Sequence, residues 1–260
     1  MSATFTPAPG AAPLSRMVLS QARMEARLML RNGEQLLLAI VIPVIVLVGG
    51  VAAAGRIGID LDGHRAVDIL TPGVLALAVM STAFTSIAIA TGFERRYGVI
   101  KRLGASPLPR HGLLLGKVLA LLNVVALQLV VLVAVALALG WEPSLAHPPT
   151  AVVGLVLTVA LGTAAFASLG LLVAGALRAE ATLALANLVY LLLMAGGGVV
   201  LPTSAYGAAG GLIQWLPSGA MGEAMRAALV DSDIDSRSLL VLAAWALLGA
   251  VLTARTFRWE

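Results

Sequence analysis

The sequence predicts an all-α integral membrane protein with six transmembrane helices. Three observations support this fold class: 60% of the 260 residues are hydrophobic, only 12% are charged, and several uncharged runs are long enough to cross a bilayer. Soluble domains contain about 25% charged residues. The chain contains no cysteine, so it forms no disulfide and offers no thiolate to a metal ion. The net charge of +4 is explained better by basic residues beside a membrane surface than by binding of nucleic acid.

The amino-terminal part divides into a tail and an amphipathic helix. Residues 1–13 contain three prolines and no charged side chain, which predicts a disordered tail. Residues 14–34 place their arginines on one stripe and apolar side chains opposite, which predicts a helix that lies in the membrane interface. Glu25 falls on the apolar side and departs from this pattern. A charged flank that only orients the first span is compatible with the same residues.

The rest of the chain, 35–260, is predicted to be a six-span transmembrane domain. The spans are expected at about 35–55, 69–92, 118–140, 151–177, 181–201 and 238–254. The small residues of the fourth span predict a close approach of neighbouring helices. Asn123 and Gln128, in the third span, lie about 140° apart on a helix and cannot share one face, so each is expected to make an interhelical bond. The hydroxyl groups of the second span are expected to bond within the bundle, with the lining of a substrate path as the alternative.

A basic loop connects the second and third predicted spans. Residues 93–117 contain six Lys and Arg residues, and this excess predicts that the loop is cytoplasmic. Within it, apolar residues recur at helical spacing and basic residues take the other side, which predicts a short amphipathic helix. The apolar residues are Val99, Ile100 and Leu103, and the basic ones are Lys101 and Arg102. Such a helix can dock into a groove of a soluble partner, whereas a loop that only sets the topology needs no more than the charge.

The order of residues in this loop resembles the first cytoplasmic loop of type 2 ABC exporter permeases. That family carries an E-R-E-x-G-T-hydrophobic-basic-x-L pattern, then a T/S-P-L turn, then an L-L-x-x-K that opens the third span. The corresponding residues here are Glu94 to Leu103, Ser106-Pro107-Leu108 and Leu114-Leu115-Gly116-Lys117. The chain differs at Arg96, where the family often has a second Glu, and at Val99, where it often has Thr.

The resemblance implies a permease domain over 35–260 that is driven by a separate ATPase subunit. It implies that Glu94 and Arg95 fix the loop at the membrane edge. The residues implied to meet the ATPase are Val99, Ile100, Lys101, Arg102 and Leu103. The implied partners are two ABC ATPase subunits, a second permease chain, identical or paralogous, and membrane lipid. The implied substrate is an amphiphile (a drug, a lipid or a lipid-linked glycan) that moves outward.

Segment 203–226 differs from an ordinary loop. Its apolar run 207–216 is too short to cross a membrane, and charged residues follow Pro217. From the residues alone, a re-entrant segment and an amphipathic surface loop both fit. The order Trp215-Leu216-Pro217, Glu223, Arg226 is similar to an L-x-P…E-x-x-R pattern that follows a hairpin of two half-helices in the same family. The resemblance therefore implies an extracellular re-entrant hairpin before the last span.

The distribution of basic residues predicts the topology. With the amino terminus inside, thirteen of the seventeen Lys and Arg residues fall on cytoplasmic segments. We therefore expect a multi-pass protein of the plasma (inner) membrane with both termini in the cytoplasm.

Two features that the sequence lacks narrow the range of possible functions. Gly112 to Lys117 resembles a phosphate-binding loop, but only three residues separate its glycines and Val118 follows the lysine, so no Walker A motif is present. The centres of the predicted spans contain no ionisable residue, which argues against a proton- or sodium-coupled transporter. We therefore expect no catalytic residue, metal or cofactor in this chain, with ATP and magnesium bound by the partner. The alternative is a membrane scaffold or assembly protein that has no transport cycle.

Overall fold

The computed structural model describes residues 12–31, 33–57, 65–104, 108–144 and 146–256. These residues form helices and connecting turns, with no strand among them. The α-helices are α1 Leu14–Arg31, α2 Gly33–Ile57, α3 Ala66–Met80, α4 Ile87–Arg96, α5 Val99–Gly104, α6 Arg110–Ala138, α7 Pro148–Ala176, α8 Ala179–Gly196, α9 Gly210–Ile213, α10 Pro217–Arg226 and α11 Ser236–Thr256. Most of the predicted tail 1–13 lies outside the described residues.

Five of the helices in the described ranges are long and apolar enough to cross a membrane. They are Ala66–Arg96, which joins α3 and α4, then Gly112–Ala138, Pro148–Ala176, Ala179–Gly196 and Ser236–Thr256. Helix α2 contains a shorter apolar stretch, Ala39–Ala54. The prediction of an all-α multi-pass membrane protein is confirmed, and a sixth span at 35–55 stays a prediction.

Two span boundaries differ from those expected. The helix predicted at 69–92 continues to Arg96, because the polar residues of the loop motif extend the helix beyond its apolar run. A π-helical segment, Ser81–Ser86, joins α3 to α4 within it. The span predicted at 181–201 ends at Gly196, where three consecutive glycines lower the helix propensity.

Close helix packing fills the core. The helix Ala66–Arg96 lies at the centre, with most of its apolar stretch buried, whereas α8 and α11 expose most of theirs. A Cβ atom at Gly170 of α7 would lie 2.7 Å from Ile87 Cγ2, and one at Gly162 would lie 2.7 Å from Met221 Cε. The close approach predicted from the small residues of the fourth span is confirmed.

The two amides of α6 behave differently. Gln128 accepts a hydrogen bond of 2.8 Å from the Thr82 hydroxyl and donates another to the Ala39 carbonyl, so it links α6 to two other segments as expected. Asn123 donates to the Leu119 carbonyl of its own helix at 2.8 Å. The prediction of an interhelical bond for Asn123 is wrong, because this side chain lies on the exposed face of α6.

Candidate functional site

Three consecutive residues at the end of α4 contact different helices. Glu94, Arg95 and Arg96 occupy the last turn of α4. Because successive residues of a helix are rotated by about 100°, their side chains leave the turn in different directions. Together with the partners described next, Lys117 and Glu25, these residues form what we call the α4 junction.

The ammonium group of Lys117 holds two carboxylates in the α4 junction. Lys117 Nζ lies 2.7 Å from Glu94 Oε2 and 2.9 Å from Glu25 Oε1, and the lysine side chain is only 5% exposed. The Gln21 amide donates a further hydrogen bond of 2.9 Å to Glu25. This ion triad links α1, α4 and α6. It also explains why Glu25 lies on the apolar side of α1, since that side packs on α6.

Arg95 binds the end of α7. Its Nη1 donates to the carbonyls of Ala174 and Gly175 at 2.7 and 2.6 Å, and its Nη2 donates to the Leu177 carbonyl at 2.9 Å. The last carbonyls of a helix have no partner within the helix, and a cation there also interacts favourably with the helix dipole. Arg95 therefore acts as a side-chain cap on α7 and fixes that helix to α4.

Arg96 completes the contacts by pairing with Glu180 in the first turn of α8. Both side chains are more than half exposed, at 51% and 63%, so this pair contributes little to stability. Arg96 is one of the positions at which the chain departs from the family pattern, since it replaces the usual second glutamate. The end of α4 is thus attached to α1, α6, α7 and α8.

Helix α5 follows α4 after a two-residue turn. Gly98 has a φ of +69°, and its N–H donates to the Arg95 carbonyl at 3.1 Å. The predicted short helix is present as Val99–Gly104. Val99, Lys101 and Arg102 are exposed on it, and Leu103 is half-buried. The side chain of Ile100 lies outside the described residues.

A groove runs along α1 next to Leu103 of α5 and Leu108. It has a volume of about 700 Å³. Leu103 and Leu108 line one side, and Arg16, Met17 and Arg23 of α1 contribute to the other. Apolar and basic groups therefore lie side by side on the surface next to α5.

At the opposite end of the bundle, Glu223 and Arg226 of α10 form a second arginine site, which we call the Arg226 site. Arg226 is 5% exposed. Its guanidinium donates to the carbonyls of Gly198, Val199, Val200 and Leu201 at 3.1 to 3.4 Å. It also donates to Glu223 Oε1 at 3.2 Å. The arginine thereby satisfies the carbonyls of the non-helical segment that follows α8.

Glu223 is held by this arginine and by the backbone. Its Oε1 accepts a hydrogen bond of 2.7 Å from the Thr203 N–H. Burial raises the pKa of Glu223, but the Arg226 guanidinium and the Thr203 N–H outweigh burial and hold the pKa below its usual value. The carboxylate is therefore ionised at neutral pH and fixes the start of the 3₁₀ segment Thr203–Ala209.

The remaining residues of the predicted hairpin motif have structural positions. Pro217 is the first residue of α10, where its missing N–H costs nothing. Trp215 is 55% exposed, and its carbonyl accepts a hydrogen bond of 2.9 Å from Trp245 Nε1 of α11. Segment 203–226 thus contains two short helical parts and α10, whereas its depth in a membrane stays a prediction.

Sequence reasoning missed the partners of the predicted residues. It named Glu94 and Arg95, but it did not identify Glu25, Gln21 or the carbonyls of α7 as members of the same site. One signal was present, since Glu25 interrupts the apolar face of α1 and a buried carboxylate needs a cation. No sequence signal indicates which backbone carbonyls Arg95 and Arg226 bind.

The fold is that of a multi-pass membrane protein. The family model for the ABC-2 type transporter matches residues 17–230, which include both arginine sites. The chain therefore belongs to the ABC-2 type transporter family, and it is a permease subunit of an ABC transporter. Members of this family generally pair with ABC ATPase subunits. None of the curated proteins compared with the chain matches it.

Proposed function

We propose that this permease exports an amphiphilic substrate and that two partner ATPase subunits drive it through α5. The observation that carries this proposal is the α4 junction. Helix α5 is attached to α4 by a two-residue turn, and the last turn of α4 is bound to α1, α6, α7 and α8. A displacement of α5 would therefore move several helices together.

The surface next to this junction suits a soluble partner. Val99 is 36% exposed beside the exposed basic side chains of Lys101 and Arg102. An apolar side chain within a basic surface gains most from a groove that is apolar inside and acidic at its rim. We propose that each ATPase subunit provides such a groove, and that the groove beside Leu103 and Leu108 extends the contact to α1.

The membrane side of the proposal follows from the charge bias and the exposed faces. We propose the plasma (inner) membrane, with both termini and α5 in the cytoplasm, because basic residues concentrate there. The exposed apolar faces of α8 and α11 need a cover, which lipid and a second permease chain, identical or paralogous, would supply. A drug, a lipid or a lipid-linked glycan is the proposed substrate, and it would leave between two permease chains.

The proposed coupling is tested by changing exposed residues of α5. The double variant Val99→Asp, Lys101→Glu places negative charge where the acidic rim is expected, and it leaves the described spans intact. We expect normal amounts of the permease in the membrane, at least a tenfold loss of ATPase co-purification, and loss of substrate-stimulated ATP hydrolysis. The matched control, Val99→Leu with Lys101→Arg, should keep all three properties.

The outcome also separates the exporter from the scaffold. A scaffold has no transport cycle, so no substrate would stimulate ATP hydrolysis in either variant or in the wild type. Retention of full transport by Val99→Asp, Lys101→Glu would overturn the assignment of α5 as the coupling element.

The proposed topology has a separate test. A reporter fused after Gly104 should be cytoplasmic, and one fused after Asp233 should be external. Cysteine at Ala209 should react slowly with a water-soluble reagent if the hairpin enters the membrane, whereas cysteine at Asp233 should react quickly. Equal fast reaction at both positions would indicate an ordinary surface loop.

A further inference from the structure

We propose that a groove beside the first half of α11 binds one anionic phospholipid, with its phosphate at Arg237 and an acyl chain along the helix. This site is independent of the proposed coupling through α5. The groove has a volume of about 530 Å³. It is lined by Trp215, Arg237, Leu240, Val241, Ala244, Trp245 and Leu248.

The shape of the groove comes from the order of side chains on α11. Its lining residues on this helix are three or four positions apart, so they form one face. Ala244 is small and lies between Leu240 and Leu248, which are 71% and 48% exposed. A small residue between two exposed leucines leaves a channel along the helix, and its walls are apolar enough for an acyl chain.

The length of the groove fits one leaflet. Leu248 is eleven positions after Arg237, which corresponds to about 16 Å at the rise of an α-helix. Half of the hydrocarbon core of a bilayer is about 15 Å thick. An acyl chain that starts at Arg237 would therefore reach Leu248 at about the middle of the membrane.

The polar end of the groove carries a positive charge. The Arg237 guanidinium lies over the Trp215 ring, 4.8 Å from its centroid. The nearby Asp235 is engaged elsewhere, since it accepts a hydrogen bond of 3.1 Å from the Ser238 N–H at the start of α11. Within the described part of the chain, no ion pair includes Arg237. A cation between exposed apolar walls complements an anionic headgroup.

The wall of the groove is fixed in place. Trp245 Nε1 donates to the Trp215 carbonyl at 2.9 Å, which attaches the segment before α10 to α11. Indole rings are also enriched at the level of lipid headgroups. The Trp215 indole beside Arg237 at the start of α11 therefore places this end of the groove in the membrane interface, where a phosphate would lie.

Fluorescence quenching tests the site directly. The full chain, with Trp141→Phe and Trp259→Phe so that only Trp215 and Trp245 report, is placed in phosphatidylcholine nanodiscs. The nanodiscs contain a small equal fraction of acyl-brominated phosphatidylglycerol or phosphatidylcholine. We expect brominated phosphatidylglycerol to bind about fivefold better, which corresponds to about 1 kcal/mol for one arginine beside anionic lipid.

Two variants identify the headgroup contact. Arg237→Gln should remove the preference for phosphatidylglycerol, whereas Arg255→Gln, at the other end of the same helix, should keep it. Ala244→Phe should fill the channel and lower quenching by both lipids. Equal quenching by both lipids in the wild type would overturn the proposal, and the surface would then be ordinary lipid-facing helix. Absence of quenching by either lipid would also overturn it and would indicate that another protein chain covers the groove.

A second measurement uses the chain with its native tryptophans. A folding defect caused by Trp141→Phe and Trp259→Phe therefore cannot affect its result. The wild-type chain and the two arginine variants are extracted with mild detergent from mixed phosphatidylcholine and phosphatidylglycerol membranes. Mass spectrometry then counts the bound lipids. We expect one retained phosphatidylglycerol per wild-type chain and per Arg255→Gln chain, and none for Arg237→Gln. Equal retention by all three would contradict the site.

Discussion

The two ends of the bundle use arginine in the same way but build different structures from it. Arg95 binds three carbonyls at the end of α7, and Arg226 binds four carbonyls of the segment after α8. The carboxylates differ. Glu94 pairs with Lys117, which also holds Glu25 of α1, whereas Glu223 pairs with Arg226 of its own helix.

This difference determines how far a local change should spread. The α4 junction attaches helices that are distant in sequence, so a change there should affect packing across the bundle. The Arg226 site connects residues of the continuous stretch 198–226, so a change there should stay within the hairpin. Transmission of motion needs bonds between distant helices, as in the α4 junction. Maintenance of a local shape needs only bonds within one stretch of chain, as in the Arg226 site.

The largest effect is expected from Lys117→Met. This change leaves the buried carboxylates of Glu25 and Glu94 without their cation, and removal of one partner from a buried ion pair costs about 3–5 kcal/mol. We expect a large fall in the thermal midpoint in nanodiscs and a lower amount of protein in the membrane. Adding Glu25→Gln and Glu94→Gln should restore much of the loss, because no buried charge is then unpaired. If the triple variant is no more stable than Lys117→Met, the loss of stability does not come from the unpaired carboxylates of Glu25 and Glu94.

A smaller and local effect is expected from Arg226→Met. Hydrogen bonds to a charged group contribute about 1.5–3 kcal/mol, and the variant loses its bonds to the carbonyls after α8. Cysteine at the buried Ile213 should become reactive in this variant, while the thermal midpoint falls less than for Lys117→Met. Arg255→Met, at an exposed arginine near the other end of α11, is the control and should leave Ile213→Cys protected.

The two sites should also be independent of each other. Distant sites without shared partners add in free energy. The loss of stability in a combined Lys117→Met, Arg226→Met variant should therefore equal the two separate losses. A coupling of more than about 1 kcal/mol between them would show that the Arg226 site belongs to the same cooperative unit as the α4 junction.

Arg95→Gln separates stability from function at the α4 junction. The variant keeps the ion triad but loses the cap on α7, so we expect a modest loss of stability, about 1–2 kcal/mol. Transport per ATP hydrolysed should fall by much more, at least tenfold, since the end of α7 is then no longer bonded to the last turn of α4. Arg178→Gln, at an exposed arginine beside this junction, is the control and should leave this ratio unchanged. A normal ratio in Arg95→Gln would exclude α7 from the path of the motion.

The sequence predicted the class of fold because apolar runs of membrane length leave few alternatives. It also predicted the short helix Val99–Gly104, since both its spacing and its stop signals are local. Helix ends were less predictable, because the last turn of α4 is polar and the partners that Glu94 and Arg95 bind there lie on other helices. The ion triad combines residues 92 positions apart, and a single sequence contains no record of such pairing.

The Arg226 site illustrates the same limit. The resemblance indicated Glu223 and Arg226 as a motif, but their partners are backbone carbonyls, which every residue has. Ser232 shows that burial in a connecting segment is equally hard to predict. Its neighbours in the sequence, Asp231 and Asp233, are charged, yet Ser232 is only 2% exposed and its hydroxyl donates to Ser144. The position of a side chain in a connecting segment depends on the packing of distant elements and not on local composition.

The smallest expected effects come from two glycines, one at each end. Gly98 has a φ of +69° and Gly207 a φ of 54°, and a Cβ atom at either would meet nothing within 4 Å. Alanine at Gly98 therefore adds only backbone strain, about 1 kcal/mol, or a shift of roughly 2–4 °C in the thermal midpoint. Alanine at Gly207 should cost somewhat more, because its combination of φ and ψ is open to glycine and not to residues with a Cβ atom. Asparagine tolerates positive φ better, so Gly98→Asn should be milder than Gly98→Ala. At Gly207, a ψ of −130° lies outside the left-handed helical region, so asparagine should give no improvement there.

The functional results of these two alanine variants should differ although both variants act through backbone strain alone. Gly98 sets the direction in which α5 leaves α4, and the chain can relieve strain there by turning α5 away from its docking position. Gly98→Ala should therefore lower substrate-stimulated ATP hydrolysis, and Gly98→Asn should restore most of it. Gly207→Ala strains only the hairpin, which has no bond to the α4 junction among the described residues, so hydrolysis should stay normal. Equal loss of hydrolysis in Gly98→Ala and Gly207→Ala would mean that both ends respond to the ATPase as one unit, and the contrast between a transmitting end and a local end would be wrong.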